Sequence, residues 1–414
     1  MVPNGWEIKQ LADLTTKISD GIHSTPKYTE KSDIHFINGN NLKNGSITIS
    51  STTKKVCPED AENHGRDLSD RTILMSINGT IGNLAFYNNE NVVLGKSACY
   101  INVNHDVDIK YIYYTLDSSK TQAFYTTELT GSTIKNLSLK TIKSTKILTP
   151  PLQEQQKIAK ILSTWDKSIS TTERLIDNSK QQKKALMQQL LTGKKRLLDD
   201  NGKRFEGEWE EVRLEDHLES FQNGYAFKAS HYEETGIPII TMGNIGLDGK
   251  FNERLSKVNY WSYDKALERY EVNNGDLLIA MTDVTPDKNL IGRMTIVTTD
   301  KTFYLNQRVG LIKPKPTLDK HFLRCLSNDV CWRRYSLAVS ASGVQANMST
   351  KDIKNGTIKL PSFKEQQKIA AVLTNADKEI ELLEQQLADL QQEKKALMQV
   401  LLTGKKRVRI DEIV

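Results

Sequence analysis

Cysteine is scarce in this chain. Cys57, Cys99, Cys325 and Cys331 are the four copies in 414 residues, and no two form a C-x-x-C pair. That excludes a disulfide framework or a cysteine zinc site as the organising feature and reads as reduced thiols in a cytoplasmic setting. The seven histidines are scattered, none at ligand spacing to another His or Cys. No apolar run approaches the ~18 residues a membrane span needs. The N-terminus, MVPNGWEIKQ, has no charged head before an apolar stretch, so no secretory signal is expected. Charge of one sign is also missing: 57 basic and 51 acidic residues leave +6. Such a balance permits a nucleic-acid partner only if the cations gather on one face.

Enzyme signatures are absent as well. There is no G-x-G-x-x-G, H-E-x-x-H or G-x-S-x-G. LGKS at 94–97 lacks the leading glycine of a phosphate loop, because Glu90 stands there, and reads as a strand lead-in. His23 and His231 flank matching loops and read as surface or structural residues. The loop TDVTPDKN (282–289) could hold a nuclease-like carboxylate pair, but no second carboxylate–lysine cluster supports one, so solvation explains it better.

What the chain has is a repeat. KKALMQQLLTGKKR (183–196) returns as KKALMQVLLTGKKR (394–407), with Gln189 against Val400 as the one difference. Sliding Glu154 onto Glu365 aligns the segment through Arg196 and Arg407 without a gap, and EQQKIA opens both copies. The regions between match more loosely: Trp6 with Trp209, Leu11 with Leu214, Gly21 with Gly224. The order is domain, helix, domain, helix, with residues 1–150 and 205–360 as the domains and 151–204 and 361–414 as the helical segments. At 38% hydrophobic and 26% charged residues, each half can bury a core of its own.

Short β-branched and aromatic runs bounded by Gly, Asn and Asp make the two domains mostly β, with helical pieces at KYIYYTLDS and KHFLRCLSNDVCWRRYSLA. The repeated segments predict continuous helices of about 45 residues, ~65 Å long at ~1.5 Å per residue. Pro150-Pro151 and Pro361 fix the starts, and Gly193 and Gly404 sit where a capping glycine belongs, each followed by Lys-Lys-Arg facing the negative end of the helix dipole. Apolar residues recur at steps of three and four: Ile158, Ile161, Trp165, Ile169, Ile176, Leu186 and Leu190 in one, with Thr172, Ser179 and Lys183 in the stripe. The second has Ile369, Val372, Ala376, Ile380, Leu383, Leu387, Leu390, Leu397 and Leu401, with Lys394 filling the vacant place. That period makes a coiled-coil seam. Neither small domain can cover such a stripe along its whole length, so each helix is the obvious partner of the other. Antiparallel packing then relates the halves by an approximate two-fold axis.

Loops at matched places differ in content: GIHSTPKY (21–28) against GYAFKASHY (224–232), NGNN (38–41) against MGN (242–244), and TGSTIKN (130–136) against ASGVQAN (341–347). Amide, cationic and hydroxyl side chains of this kind can bond base edges and phosphates in DNA. The candidate DNA-binding residues are Ser24, Lys27, Tyr28, Asn40, Asn41, Lys135 and Asn136 in the first half. In the second they are Tyr225, Lys228, Asn244, Arg308, Gln345 and Asn347. No catalytic or metal-ligating residue is expected.

With PPLQEQQKIA (150–159) copied as PSFKEQQKIA (361–370), two LLTGKKR helix ends, and GSTIKNLS (131–138) answered by GVQANMS (343–349), the whole chain resembles the specificity subunit of a type I restriction–modification enzyme. The second copy departs in its single proline and in Val344-Gln345 for Ser132-Thr133, which blurs transfer at the level of loops. The resemblance implies an α+β fold: two β-rich target recognition domains related by pseudo-two-fold symmetry, joined and separated by two long antiparallel helices in a coiled coil. It implies that each domain reads half of a split, asymmetric sequence in double-stranded DNA. Two DNA-adenine methyltransferase (modification) subunits would dock on the helices, two ATP-dependent restriction subunits would join them, and no membrane would be involved. S-adenosylmethionine, ATP and magnesium would belong to those partners, leaving this chain without a cofactor. A self-contained nuclease and a coiled-coil scaffold or dimeric repressor are the rival readings.

Overall fold

The computed structural model describes residues 2–131, 135–253, 256–340 and 346–409. Packing divides the chain into two units, Met1–Arg174 with Gln385–Val414, and Leu175–Glu384. Each unit holds one β-rich domain, the first half of one long helix and the second half of the other.

In the first unit a four-stranded antiparallel sheet runs in the order Thr15–Asp20, Ala98–Val103, Thr72–Ser76, Leu84–Phe86. In the second the order is Leu218–Asn223, Val309–Pro314, Leu277–Ala280, Met294–Ile296. The topology is the same, down to a register shift at the start of the first strand, between Thr15 and Lys17 and between Leu218 and Ser220. Both sheets carry a parallel pair beside them, His35–Ile37 on Val92–Leu94 and Ile239 and Ile240 on Tyr304 and Leu305. Both domains close with a short ladder, Glu7–Gln10 on Lys146–Thr149 and Glu210–Arg213 on Thr357–Leu360. Gly21 and Gly224, matched in sequence, are required by close approach: a Cβ on Gly21 would lie 2.1 Å from the Leu94 carbonyl oxygen, and one on Gly224 2.2 Å from the Asn306 carbonyl.

The KYIYYTLDS segment forms Ile109–Asp117 and is followed by a second helix, Ser119–Thr127. The longer piece expected in the other half is two helices, Lys320–Leu326 and Val330–Val339, because Asp329 caps the second by accepting from the Cys331 amide at 2.8 Å.

The long helices are Leu152–Leu190 and Phe363–Leu401, 39 residues each, or ~58 Å. They fall short of the sequence expectation because Gly193 and Gly404 take φ of 72° and 67° and stop them. Every stripe position from Ile158 to Leu190 and from Ile369 to Leu401 is buried or half-buried, whereas Leu382, off the stripe, is 72% exposed. The helix starts also bury against their own domains. Ile158, Ala159 and Leu162 join the core of Tyr111, Tyr114 and Ile147, and Ile369, Ala370 and Leu373 join that of Leu214, Phe322 and Ile358.

Within each unit the helix halves run antiparallel. In the first, Glu154 pairs with Arg407 and Asp166 with Lys394, so partners retreat along one helix as they advance along the other. In the second, Glu365 pairs with Arg196 and Asp377 with Lys183. The final arginines therefore do more than face a dipole. Each forks onto a buried carboxylate, with Nε and Nη2 both 2.7 Å from Glu154 for Arg407, and 2.6 and 2.7 Å from Glu365 for Arg196. The next motif residue ties the helix to its domain. The Gln155 side chain accepts from the Asp108 amide and donates to the Pro150 carbonyl, as Gln366 does with Asp319 and Pro361.

Candidate nucleic-acid interface

The strands of each sheet run from the end fixed by Gln155 or Gln366 to an opposite rim of loops. In the first unit that rim is laced by its own backbone. The Ile22 amide donates to Leu94 at 2.7 Å, Gly95 to Ile37 at 2.9 Å and Gly79 to Lys135 at 3.3 Å. The Gly39 amide donates to Ser97 Oγ at 2.9 Å, Asn78 Nδ2 to the Lys96 carbonyl at 3.3 Å, and Asn78 bridges Asn136. Loops far apart in sequence are thus held at one edge, with Ser24, Asn40, Lys96 and Lys135 exposed and Asn136 half-buried.

The second unit repeats the lacing with other side chains. The Tyr225 amide donates to Leu305 at 2.8 Å, Gln307 to Tyr225 at 3.0 Å, Met281 to Arg308 at 3.0 Å and Met348 to Met281 at 2.9 Å. Thr282 Oγ1 donates to Asn347 Oδ1 at 3.0 Å. Tyr225, Arg308 and Asn347, expected together from the repeat, share this rim, and exposed Lys228 follows on the Tyr225 loop. Tyr225 stands against Phe227 and Tyr270, with ring centroids 5.0 and 5.5 Å away.

At two expected positions the side chain is engaged within the fold. Asn244 is only 2% exposed, its Oδ1 accepting from the Thr241 amide at 2.8 Å and its Nδ2 donating to Asn252 at 2.8 Å. Asn41, half-buried, does the same with Asn38 and Thr48 at 2.9 and 3.1 Å. These matched asparagines build a turn, and hydrogen bonds within it already engage both the amide oxygen and the amide nitrogen of each. Lys27 and Tyr28 are exposed but lie beside another segment: the Lys27 amide donates to Asp60 at 2.7 Å, and the Tyr28 ring sits 4.7 Å from the Lys54 ammonium. Gln345 lies outside the described residues.

Sequence reading missed Asn78, Lys96, Asn306 and Gln307. The alignment of LGKSACYI with LNQRVGLI could have found three of them, since Lys96 falls opposite Gln307 in loops that occupy the same place.

In the 282–289 loop the Asp283 carboxylate is taken up by the loop itself. Asp283 Oδ1 accepts from the Thr285 amide and hydroxyl, both at 2.8 Å, and Oδ2 from the Leu290 amide at 2.6 Å. Burial would push this carboxyl up, but the Thr285, Leu290 and Ile291 amides and the Thr285 hydroxyl together hold it below the ordinary carboxylate range. A carboxylate so occupied shapes a loop. No helix among the described residues is long and apolar enough to cross a membrane.

The family model of the type I restriction modification DNA specificity domain matches twice, over residues 3–179 and 206–392. The chain belongs to that family. Among curated relatives, the type I restriction enzyme MjaVIII specificity subunit of Methanocaldococcus jannaschii is 25% identical over 417 residues, covering 99% of this chain and 94% of its own. The EcoBI specificity subunit of Escherichia coli is 24% identical, covering 69% and 63%. The fold agrees with the S subunit of a type I system from M. genitalium, at a TM-score of 0.57 with 16% identity over 97% of each chain. A chain from a structure of the type I R-M system, solved for its complex assembly and conformational transition, matches at 0.59 with 16% identity, over 98% of this chain and 100% of the other. This specificity subunit therefore carries two recognition domains, each with a rim of unlike side chains on a common frame.

Proposed function

We propose that each recognition domain reads one half of a bipartite, asymmetric sequence in double-stranded DNA through its laced rim. The observation that carries the reading is the contrast within the chain. The clamps at the helix ends are chemically identical, Glu154–Arg407 and Glu365–Arg196, while the rims on the same topology differ. Two copies of one partner need two copies of one dock, and two half-sequences need two different readers. The helices set the gap between half-sequences and dock two DNA-adenine methyltransferase subunits, which two ATP-dependent restriction subunits join. S-adenosylmethionine, ATP and magnesium are used by those partners, in the cytoplasm, and this chain is non-catalytic. The test is to replace residues 1–150 with a recognition domain of other specificity and sequence the methylome of cells carrying the chimera with its modification subunit. One half of the methylated motif should change. A change in both halves would overturn the modular reading.

A further inference from the structure

The connections between the third and fourth strands of the two sheets differ in length. In the first unit it runs from Ile77 to Asn83, in the second from Met281 to Arg293. Both pass through a glycine of positive φ that donates to the preceding strand, Gly82 to Ser76 and Gly292 to Ala280. The extra residues in the second unit form the Val284–Lys288 segment, which leaves the rim directly after Thr282 and Asp283 pair with Asn347 and Ala346.

This segment is braced from inside. Asp283 gathers the Thr285 and Leu290 amides at its neck. Arg333, on the Val330–Val339 helix, donates Nη2 to the Lys288 carbonyl at 3.1 Å and Nη1 to that of Ile291. Arg293 donates Nε to the Asn289 carbonyl at 2.6 Å and reaches Asn328 with Nη1, and Trp332 Nε1 donates to Gly292 at 2.8 Å. Three side chains therefore satisfy four carbonyls of the loop, at Lys288, Asn289, Ile291 and Gly292. Burial pushes the Arg333 guanidinium down to about 10, with nearby Arg293 pushing the same way. Two charged side chains are thus half-withdrawn from water to hold one loop, a cost that a freely solvated turn would not require.

The tip so presented carries an apolar and an acidic side chain, with Lys288 half-buried at its end. Val284 is 63% exposed, Thr285, Pro286 and Asp287 are exposed, and Lys288 at φ 48° turns the chain back. Against a phosphate backbone, Asp287 would be repelled and Val284 would gain nothing. Against base edges both have partners, Asp with the cytosine N4 amino group and an apolar side chain with the thymine methyl. We propose that Val284–Lys288 is a preorganised finger of the second recognition domain that enters a DNA groove and reads base edges of the second half-sequence, with Arg333 and Arg293 as positioning residues. This rests on the DNA-reading function above and assigns it a particular element. Because the neck of the finger is braced beforehand, binding need not bear the whole entropy of ordering it.

The test uses the full chain with its modification subunit, by methylome sequencing and by salt-dependent binding to duplexes carrying the motif. Val284→Ala and Asp287→Asn, at exposed positions, should relax or change a base in the second half-sequence and leave the first intact, with a 5- to 150-fold loss of discrimination there, the equivalent of ~1–3 kcal/mol. Arg333→Met should relax the same base, and Arg333→Lys should restore it only in part, since one ammonium cannot reach two carbonyls as a fork does. If the tip variants leave both half-sequences and the discrimination unchanged, the finger is not a reader. If the unmodified chain with its partner yields no split motif, the DNA-reading function itself has failed.

Discussion

Glu154 and Arg407 lie 253 positions apart and meet in a two-pronged ion pair at 2.7 Å, closing the end of the chain onto the start of its first long helix. Glu154 is 1% exposed and also accepts from Trp6 Nε1 at 3.0 Å. Glu365 is fully buried and holds Arg196 alike, but the Nε1 of Trp209, the partner of Trp6 in the repeat, is buried without an acceptor among the described residues.

That asymmetry orders two mutants. Removing one member of a buried pair strands the other and costs ~3–5 kcal/mol. Arg196→Ala is expected to lie in that range, because Glu365 loses its forked donor. Arg407→Ala should cost less, since Trp6 still serves Glu154 and Arg407 is itself partly exposed. Denaturant unfolding of the two variants measures the order, and equal losses would show that Trp6 contributes nothing.

The rim assignments separate specificity from stability. Alanine at Asn244 or Asn41 should lower the melting temperature, costing ~1–3 kcal/mol for the amides and carbonyls left unpaired. Alanine at Asn40, Lys135, Asn136, Lys228 or Arg308 should leave melting nearly unchanged, whereas at Asn347 it should also cost some stability, because buried Thr282 loses its acceptor. Each of the six should cost binding, relaxing one base position if it reads a base, or weakening all sequences and lowering the salt slope if it holds phosphate. Thermal scans beside duplex-binding titrations distinguish the two groups. Unchanged binding on replacing all six rim residues would remove this surface from consideration.

Asp117 supplies a pH dependence. Burial raises its carboxyl above the ordinary range, the Lys394 ammonium opposes that, and the Asp166 carboxylate adds to it. A raised folded value means the native state holds the proton to higher pH than the unfolded chain does. Stability is therefore lost as pH climbs from ~3.9 through the raised value, and the loss persists at neutrality. Asp117→Asn should raise the melting temperature at pH 7 and bring no gain at pH 3. A gain of equal size at both values would show that ionisation is not the cause.

Helix length is the last expectation. Two-fold-related readers commonly sit about one DNA turn apart, ~34–36 Å, which a 39-residue helix of ~58 Å exceeds. Four residues inserted beside Thr172 add ~6 Å of helix, part of it absorbed by rewinding where the seam is shifted. The unspecified gap in the methylated motif should grow by one or two base pairs at ~3.4 Å each, with both half-sequences kept. An active enzyme with its gap unchanged would separate helix length from spacing.

The sequence by itself determined the repeat, the order of domains and helices, and the stripe that is buried along both helices, because a seven-residue apolar period has one packing consequence wherever it occurs. It determined too that Gly193 and Gly404 would end those helices, since a positive φ there favours glycine. Only the tertiary structure decided what the polar residues do, because a polar side chain satisfies its hydrogen bonds with whatever the fold brings near. Asn40 and Asn41 are neighbours in one motif, yet the first is exposed and the second is bound inside a turn. Lys183 and Lys394 look like defects in the stripe until Asp377 and Asp166 arrive from the other helix. Arg293 and Arg333 carry the charge expected of DNA contacts, but the fold turns both inward to brace a loop.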